Sequence, residues 1–175
     1  TDVTARRIIA EGRTSGVTLA PQSDWGRRVR AAFAEEFTAA GGLLVDFPGP
    51  VRHRPYVKYA SDGRATIHFA FTEGHPSTYD NSIYHAYVRD GRLHRSDGTV
   101  IRTLRDGPLV PAEATRIFAA DPNNVAWIHD LALDEQGRPR LVYSVQKNSA
   151  GLGRGKGGQD LRYRFARWDG KAWQD

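Results

Sequence analysis

Two histidines, His75 and His85, stand among tyrosines in the stretch TEGHPSTYDNSIYHAY at residues 72 to 87. An imidazole with its ordinary pKa of about 6.5 is present in both forms near neutrality, so it can bind an anion, give a proton or take one. A phenol, at about 10, needs a cationic neighbour before it can act as a base. The chemistry open to such a group is proton transfer and anion recognition. Pro76 fixes the backbone after His75, Asp80 and Asn81 are turn formers, and His85 shares a strand face with Ile83 and Tyr87. A rigid loop and a strand then present two imidazoles near one strand end. The competing reading for each is a hydrogen-bonded packing residue.

The elements that must position them fall into two segments. Over residues 1 to 47 the pattern is α/β. Ser23 or Asp24 caps a helix whose Trp25, Val29, Phe33 and Phe37 recur every four residues, and Gly41-Gly42 ends it. GVTLAP before it and LLVDF after it have strand length, which predicts a βαβ unit with parallel strands. The string VTLAPQSDWGRRVRAAFAEEFTAAGG resembles the βαβ unit of periplasmic-binding-type receptor domains of the LppC-like kind. One such unit carries none of the inter-lobe cleft of those receptors, so no ligand follows from it.

After the Pro-rich joint PGPVRHRP the period changes to two. YVKYASDGRATIHFAF, IYHAYVRDGRLHRSDGTVI, IHDLALDEQGRPRLVYSV and LRYRFARWDGKAW each read as hairpins, with a glycine in each turn that permits positive φ. Hairpins repeating along residues 48 to 175 predict an antiparallel region of propeller-blade type. The fold class expected is therefore α+β, a βαβ segment joined to a partial propeller. Roughly 125 residues suffice for two or three blades at about 40 to 50 each. Open strand edges then need cover from the N-terminal unit or from another chain, as in a homo-oligomer.

RPYVKYASDGRATIHFAFTEGHP, NSIYHAYVRDGRLHRSDGTVI, AWIHDLALDEQGRPRLVYSV and YRFARWDGKAW resemble, in that order, BNR-repeat β-propellers that include ulvan lyases. The resemblance implies a polysaccharide-active chain, of uronate-lyase type if active, with an acidic polysaccharide as partner and a periplasmic or extracellular location. A uronate lyase removes the proton beside a sugar carboxylate, neutralises that carboxylate and protonates the leaving oxygen. Motif by motif, the resemblance points to His75, His85, Tyr143 and Arg162 as catalytic residues, with Arg164 as an alternative to Arg162. Trp127 and Trp168 are candidates for stacking on sugar rings, against the alternative that they fill space between blades. Two rivals stand beside the lyase: a non-catalytic carbohydrate-binding or scaffolding propeller, and a chimera of unrelated pieces meeting at Pro48 to Pro50.

Composition narrows the classes. No Cys is present, which excludes a disulfide framework and a thiolate metal site, and no histidine spacing is typical of a metal centre, so neither metal nor cofactor is expected. No apolar run reaches the roughly 20 residues that span a bilayer, and no membrane partner is expected. The net charge of +5, mostly arginine, favours a polyanion, but scattered basic residues without a nucleic-acid motif argue against nucleic acid. GLGRGKGG at 151 to 158 lacks the Ser or Thr of a phosphate loop and reads as a flexible basic loop. Asp62, Asp97 and Asp169 are turn formers that lack the full Asp-box string.

Overall fold

The computed structural model describes Val45 and residues 56–75, 80–147 and 160–175. The βαβ unit expected over residues 1 to 47, the expected boundary at 47/48, Pro76 and the Gly-rich loop lie outside the described residues. Val45, from the expected second strand of that unit, makes a parallel bridge with Leu109.

The four expected hairpins form two antiparallel sheets. In the first, β1 (Val57–Ser61), β2 (Thr66–Phe71), β3 (Ile83–Arg89), β4 (Arg92–His94) and β5 (Val100–Thr103) pair in sequence order. A sixth strand, β6 (Thr115–Phe118), also joins β3. The second sheet is a four-stranded meander of β7 (Asn124–Leu133), β8 (Pro139–Lys147), β9 (Asp160–Trp168) and β10 (Trp173–Gln174), the order of a propeller blade. The six-stranded sheet departs from four-stranded blades because β4 is short. It pairs only Tyr87 to Arg89 of β3, which leaves the Ile83 to His85 stretch of the same edge for β6. Among the described residues the only helical elements are single 3-10 turns at Leu104–Asp106 and Pro111–Glu113, and no helix is long and apolar enough to cross a membrane.

Asp-Gly turns set the hairpins. At the β1–β2 turn Asp62 Oδ1 accepts the backbone N–H groups of Arg64, Ala65 and Thr66, while Gly63 takes φ +69°. The β9–β10 turn repeats the device, with Asp169 Oδ1 accepting from Lys171 and Ala172. These backbone donors hold the Asp169 carboxyl below the usual carboxylate range. The aspartates act as built-in acceptors for turn amides that no strand can satisfy.

Both faces of the first sheet are covered, so all six residues of β2 are buried. On one face Phe69, Phe71, Ala86 and Val88 pack with Leu93, Leu104, Leu109 and Ala114. On the other, Ala70 and Ile83 meet Ala126, Ile128, Leu131, Leu141, Tyr143, Val145 and Ala166 of the second sheet. That second layer also takes in the polar residues of alternating register. His68 Nδ1 lies 3.1 Å from His85 Nε2, His85 Nδ1 lies 2.7 Å from Ser96 Oγ, and Trp173 Nε1 donates to the same hydroxyl at 2.9 Å. The ring of Trp173 stands edge-on to His85. A buried polar chain therefore ties β2 and β3 to the C-terminal strand of the second sheet.

Burial lowers His68 to about 4, with Asp62 opposing and Arg89 adding to the effect; burial and the neighbouring His68 push His85 well below its ordinary value. Both rings are neutral when folded, one donating and the other accepting; two imidazolium ions would set donors face to face.

Two outcomes follow. Replacing Asp62 by Ala leaves three turn amides without their acceptor and lowers stability by about 1–2 kcal/mol in urea unfolding; an unchanged midpoint would show that water replaces the carboxylate at no cost. The histidines carry a pH dependence. Their folded pKa values lie below the unfolded value of about 6.5, so the unfolded chain binds the extra protons. Stability is complete above about pH 6.5 and drains away as the pH falls towards about 4, with His68 alone removing about 3 kcal/mol. A unfolding midpoint that stays level from pH 7 to pH 4.5 would contradict neutral buried rings.

Candidate functional site

The loop after β2 is fixed from inside. Thr72 N–H donates to the Tyr56 carbonyl, and Tyr56 N–H donates to Thr72 Oγ1. Thr72 Oγ1 in turn donates to the Gly74 carbonyl, and the fully buried Asn81 accepts from Gly74 N–H and donates to the Gly74 carbonyl. Asn81 also offers its carbonyl to Ala126 N–H on β7, while Glu73 accepts from Ser82 N–H and Tyr84 Oη. His75 thus leaves a clamped backbone, and its position beside β7 is set by the same asparagine.

Tyr56 Oη lies 3.3 Å from His75 Nε2, and the Trp127 ring stands 5.5 Å from Tyr56 and 5.7 Å from His75, centroid to centroid. Trp127 is 39% exposed. Strand alternation puts His129 on the face of Trp127, where the rings stack at 6.5 Å and His129 Nε2 lies 2.8 Å from Ser144 Oγ, and a bulge follows between Ile128 and Asp130. Tyr163, the cross-strand partner of Ser144 on β9, stands 5.6 Å from His129. The five rings of Tyr56, His75, Trp127, His129 and Tyr163 make a continuous aromatic strip across the outer face of the second sheet. Beside Tyr163 on β9, Leu161 and Phe165 are exposed on the same face.

The other candidates lie elsewhere. His85 is fully buried in the polar chain to His68 and Ser96, out of reach of a ligand and uncharged, so it cannot neutralise a carboxylate in this arrangement. Tyr143 faces the layer between the sheets, and its Oη donates to Asp175 Oδ2 at 2.6 Å. Burial first, then this carboxylate, raise its pKa far above that of an ordinary phenol, with Arg164 opposing. Arg164 is paired with Asp175 and its guanidinium lies over the Phe118 and Tyr143 rings. Arg162 is paired with Asp160 through Nε and Nη2. Trp168 packs on Trp173, away from the strip. A surface cleft of about 340 Å³ is lined by Asn124, Val145, Lys147, Arg162, Tyr163 and Arg164.

Of the seven residues singled out by sequence, the structure brings His75 and Trp127 together, sets Tyr143, Arg162 and Arg164 along one face of β8 and β9, and keeps His85 and Trp168 near the Trp173 end. Tyr56, His129 and Tyr163 were not among them. Tyr163 and Trp127 sit on alternating strands whose outward phase is readable, but their coincidence across β8 depends on register. Among the described residues no three His, Asp or Glu side chains are grouped as a metal site.

No curated protein matches the sequence. Solved structures similar to it include an ulvan lyase of polysaccharide lyase family PL25 and the same kind of lyase bound to -[GlcA(1-4)Rha3S]-. Each is 14% identical with a TM-score of 0.56, over 75% of this chain and 32% of the lyase. At that identity the likeness is one of fold, a mostly antiparallel propeller-type lyase fold, and the chain spans about a third of the lyases' length. A family model described as a BNR repeat-containing family member matches residues 22 to 175. The match runs unbroken through Pro48 to Pro50, so the LppC-like resemblance and the junction of unrelated pieces expected there find no support. The chain belongs to the BNR repeat-containing family.

Proposed function

We propose that the chain recognises an acidic polysaccharide along the strip from His75 to Tyr163 and works within a uronate lyase acting by β-elimination. The observation that carries this is the clamped His75 against the exposed Trp127, on a fold similar to that of ulvan lyases. An apolar ring face suits the C–H face of a sugar, and an imidazole at its edge can transfer a proton. In the elimination a proton leaves the carbon beside the carboxylate, a carbon–carbon double bond forms, and the bond to the glycosidic oxygen breaks as that oxygen takes up a proton. His75, with Tyr56 Oη at its Nε2, is the group assigned to proton transfer. His85 and Tyr143 support the surface from behind through their internal hydrogen bonds.

The separation of the seven candidates favours a second reading, a binding surface without catalysis. Ultraviolet absorbance of the unsaturated sugar, followed with ulvan and other uronate polysaccharides, tests the first reading. A rise that vanishes in His75→Ala, with the fold intact, is expected for a lyase. A flat trace with binding that weakens about tenfold in Trp127→Ala leaves the binding reading. Neither turnover nor binding would sink both.

A further inference from the structure

We infer that His129 is a second proton-transfer group of the proposed lyase, the acid that protonates the departing glycosidic oxygen while His75 takes the proton from carbon. This rests on the lyase reading above and completes it, because β-elimination moves two protons and His75 accounts for one. The layer between the sheets does not supply the other: His85 has no exposed surface, and Tyr143 Oη donates to Asp175. On the outer face of the second sheet, by contrast, the Trp127 ring is flanked by two imidazoles, His75 at 5.7 Å and His129 at 6.5 Å between centroids. They come from opposite sides. The loop of His75 is anchored through Asn81 to Ala126, which precedes Trp127 on β7, and His129 follows Trp127 on the same strand face. A sugar with its C–H face on the indole therefore has an imidazole at each end.

His129 is held as a proton donor must be. The residue is exposed, yet its Nε2 lies 2.8 Å from Ser144 Oγ, a hydroxyl on a buried residue, and its ring stacks on Trp127 at an interplanar angle of 15°. Nδ1 has no hydrogen-bond partner among the described residues. With Nε2–H donated to Ser144 Oγ, the imidazolium keeps its Nδ1–H for a ligand. Asp130, next along β7, accepts from the Leu131 amide, and Tyr163 on β9 stands 5.6 Å from the His129 ring. In the reaction the electron pair of the broken carbon–hydrogen bond forms the carbon–carbon double bond. The carbon–oxygen bond breaks with its pair on oxygen, which takes the Nδ1 proton. Between turnovers the exposed ring regains a proton from water, and His75 gives one up.

The test follows the unsaturated sugar by ultraviolet absorbance, with ulvan as substrate, in the full chain and in His129→Gln, whose amide keeps a hydrogen-bonding group for Ser144 but has no transferable proton. His129→Gln should lower kcat about a hundredfold with KM changed less than about twofold, and leave the circular dichroism spectrum unchanged. It should also erase the alkaline limb of the kcat/KM profile, where a general acid loses its proton. In His129→Ala, added imidazole should restore part of the turnover, which a packing role would not produce. A kcat lowered less than about tenfold, a loss carried by KM alone, or an alkaline limb that persists overturns the assignment. If His75→Ala is inactive in that case, the lyase reading stands without His129. A folded parent chain that yields no unsaturated sugar overturns the lyase reading and the assignment together.

Discussion

The absence of any solvent face on β2 governs most of what this structure does. A strand covered on both sides can keep its alternation of side chains only if the polar members of one face find partners inside the protein. On β2 and β3 those members include Thr66, which accepts from Arg89 Nε, and His68 and His85, which meet each other and, through Ser96, Trp173. The layer between the two sheets is thus apolar around Ala70, Ile83, Ile128 and Tyr143 and polar towards Trp173. Burial of the apolar part supplies the attraction, at about 1.5–3 kcal/mol for each large side chain. The polar chain restricts which register of the two sheets is acceptable, because a shift would strand an imidazole without a partner.

The same constraint sorts the chemistry-bearing residues. Groups that face the layer between the sheets are neutralised or paired: His85 by burial, Tyr143 by Asp175. Groups on the outer face of the second sheet stay within reach of a ligand, with Trp127, His129 and Tyr163 in one strip. His75 belongs to this accessible set only because Asn81 and Thr72 hold its loop against β7. Rigid placement of a titratable ring on a short loop is a structural cost met by an asparagine with no exposed surface, which uses both ends of its amide. Arg162 and Arg164 occupy an intermediate position, exposed on β9 but fixed by carboxylates.

The sequence by itself determined the four hairpins and the turn chemistry. Alternation has a period that only a strand satisfies, and Asp-Gly pairs supply both an acceptor and positive φ within a few residues, so these features are local. The clustering of candidate histidines was legible in the same way, as residue types at a short spacing. What only the tertiary structure decided is which histidine is covered. His75 and His85 read alike in the chain, yet one stands beside an exposed tryptophan and the other has no exposed surface. Burial depends on the layer that another part of the chain lays over a face, and here that layer comes from Trp173, far along the chain. The place of TRIF as β6 on a shared edge, and the joining of Tyr56 to Tyr163 across two strands, were decided there too, because register between distant strands is set by the packing of whole faces and not by any local pattern.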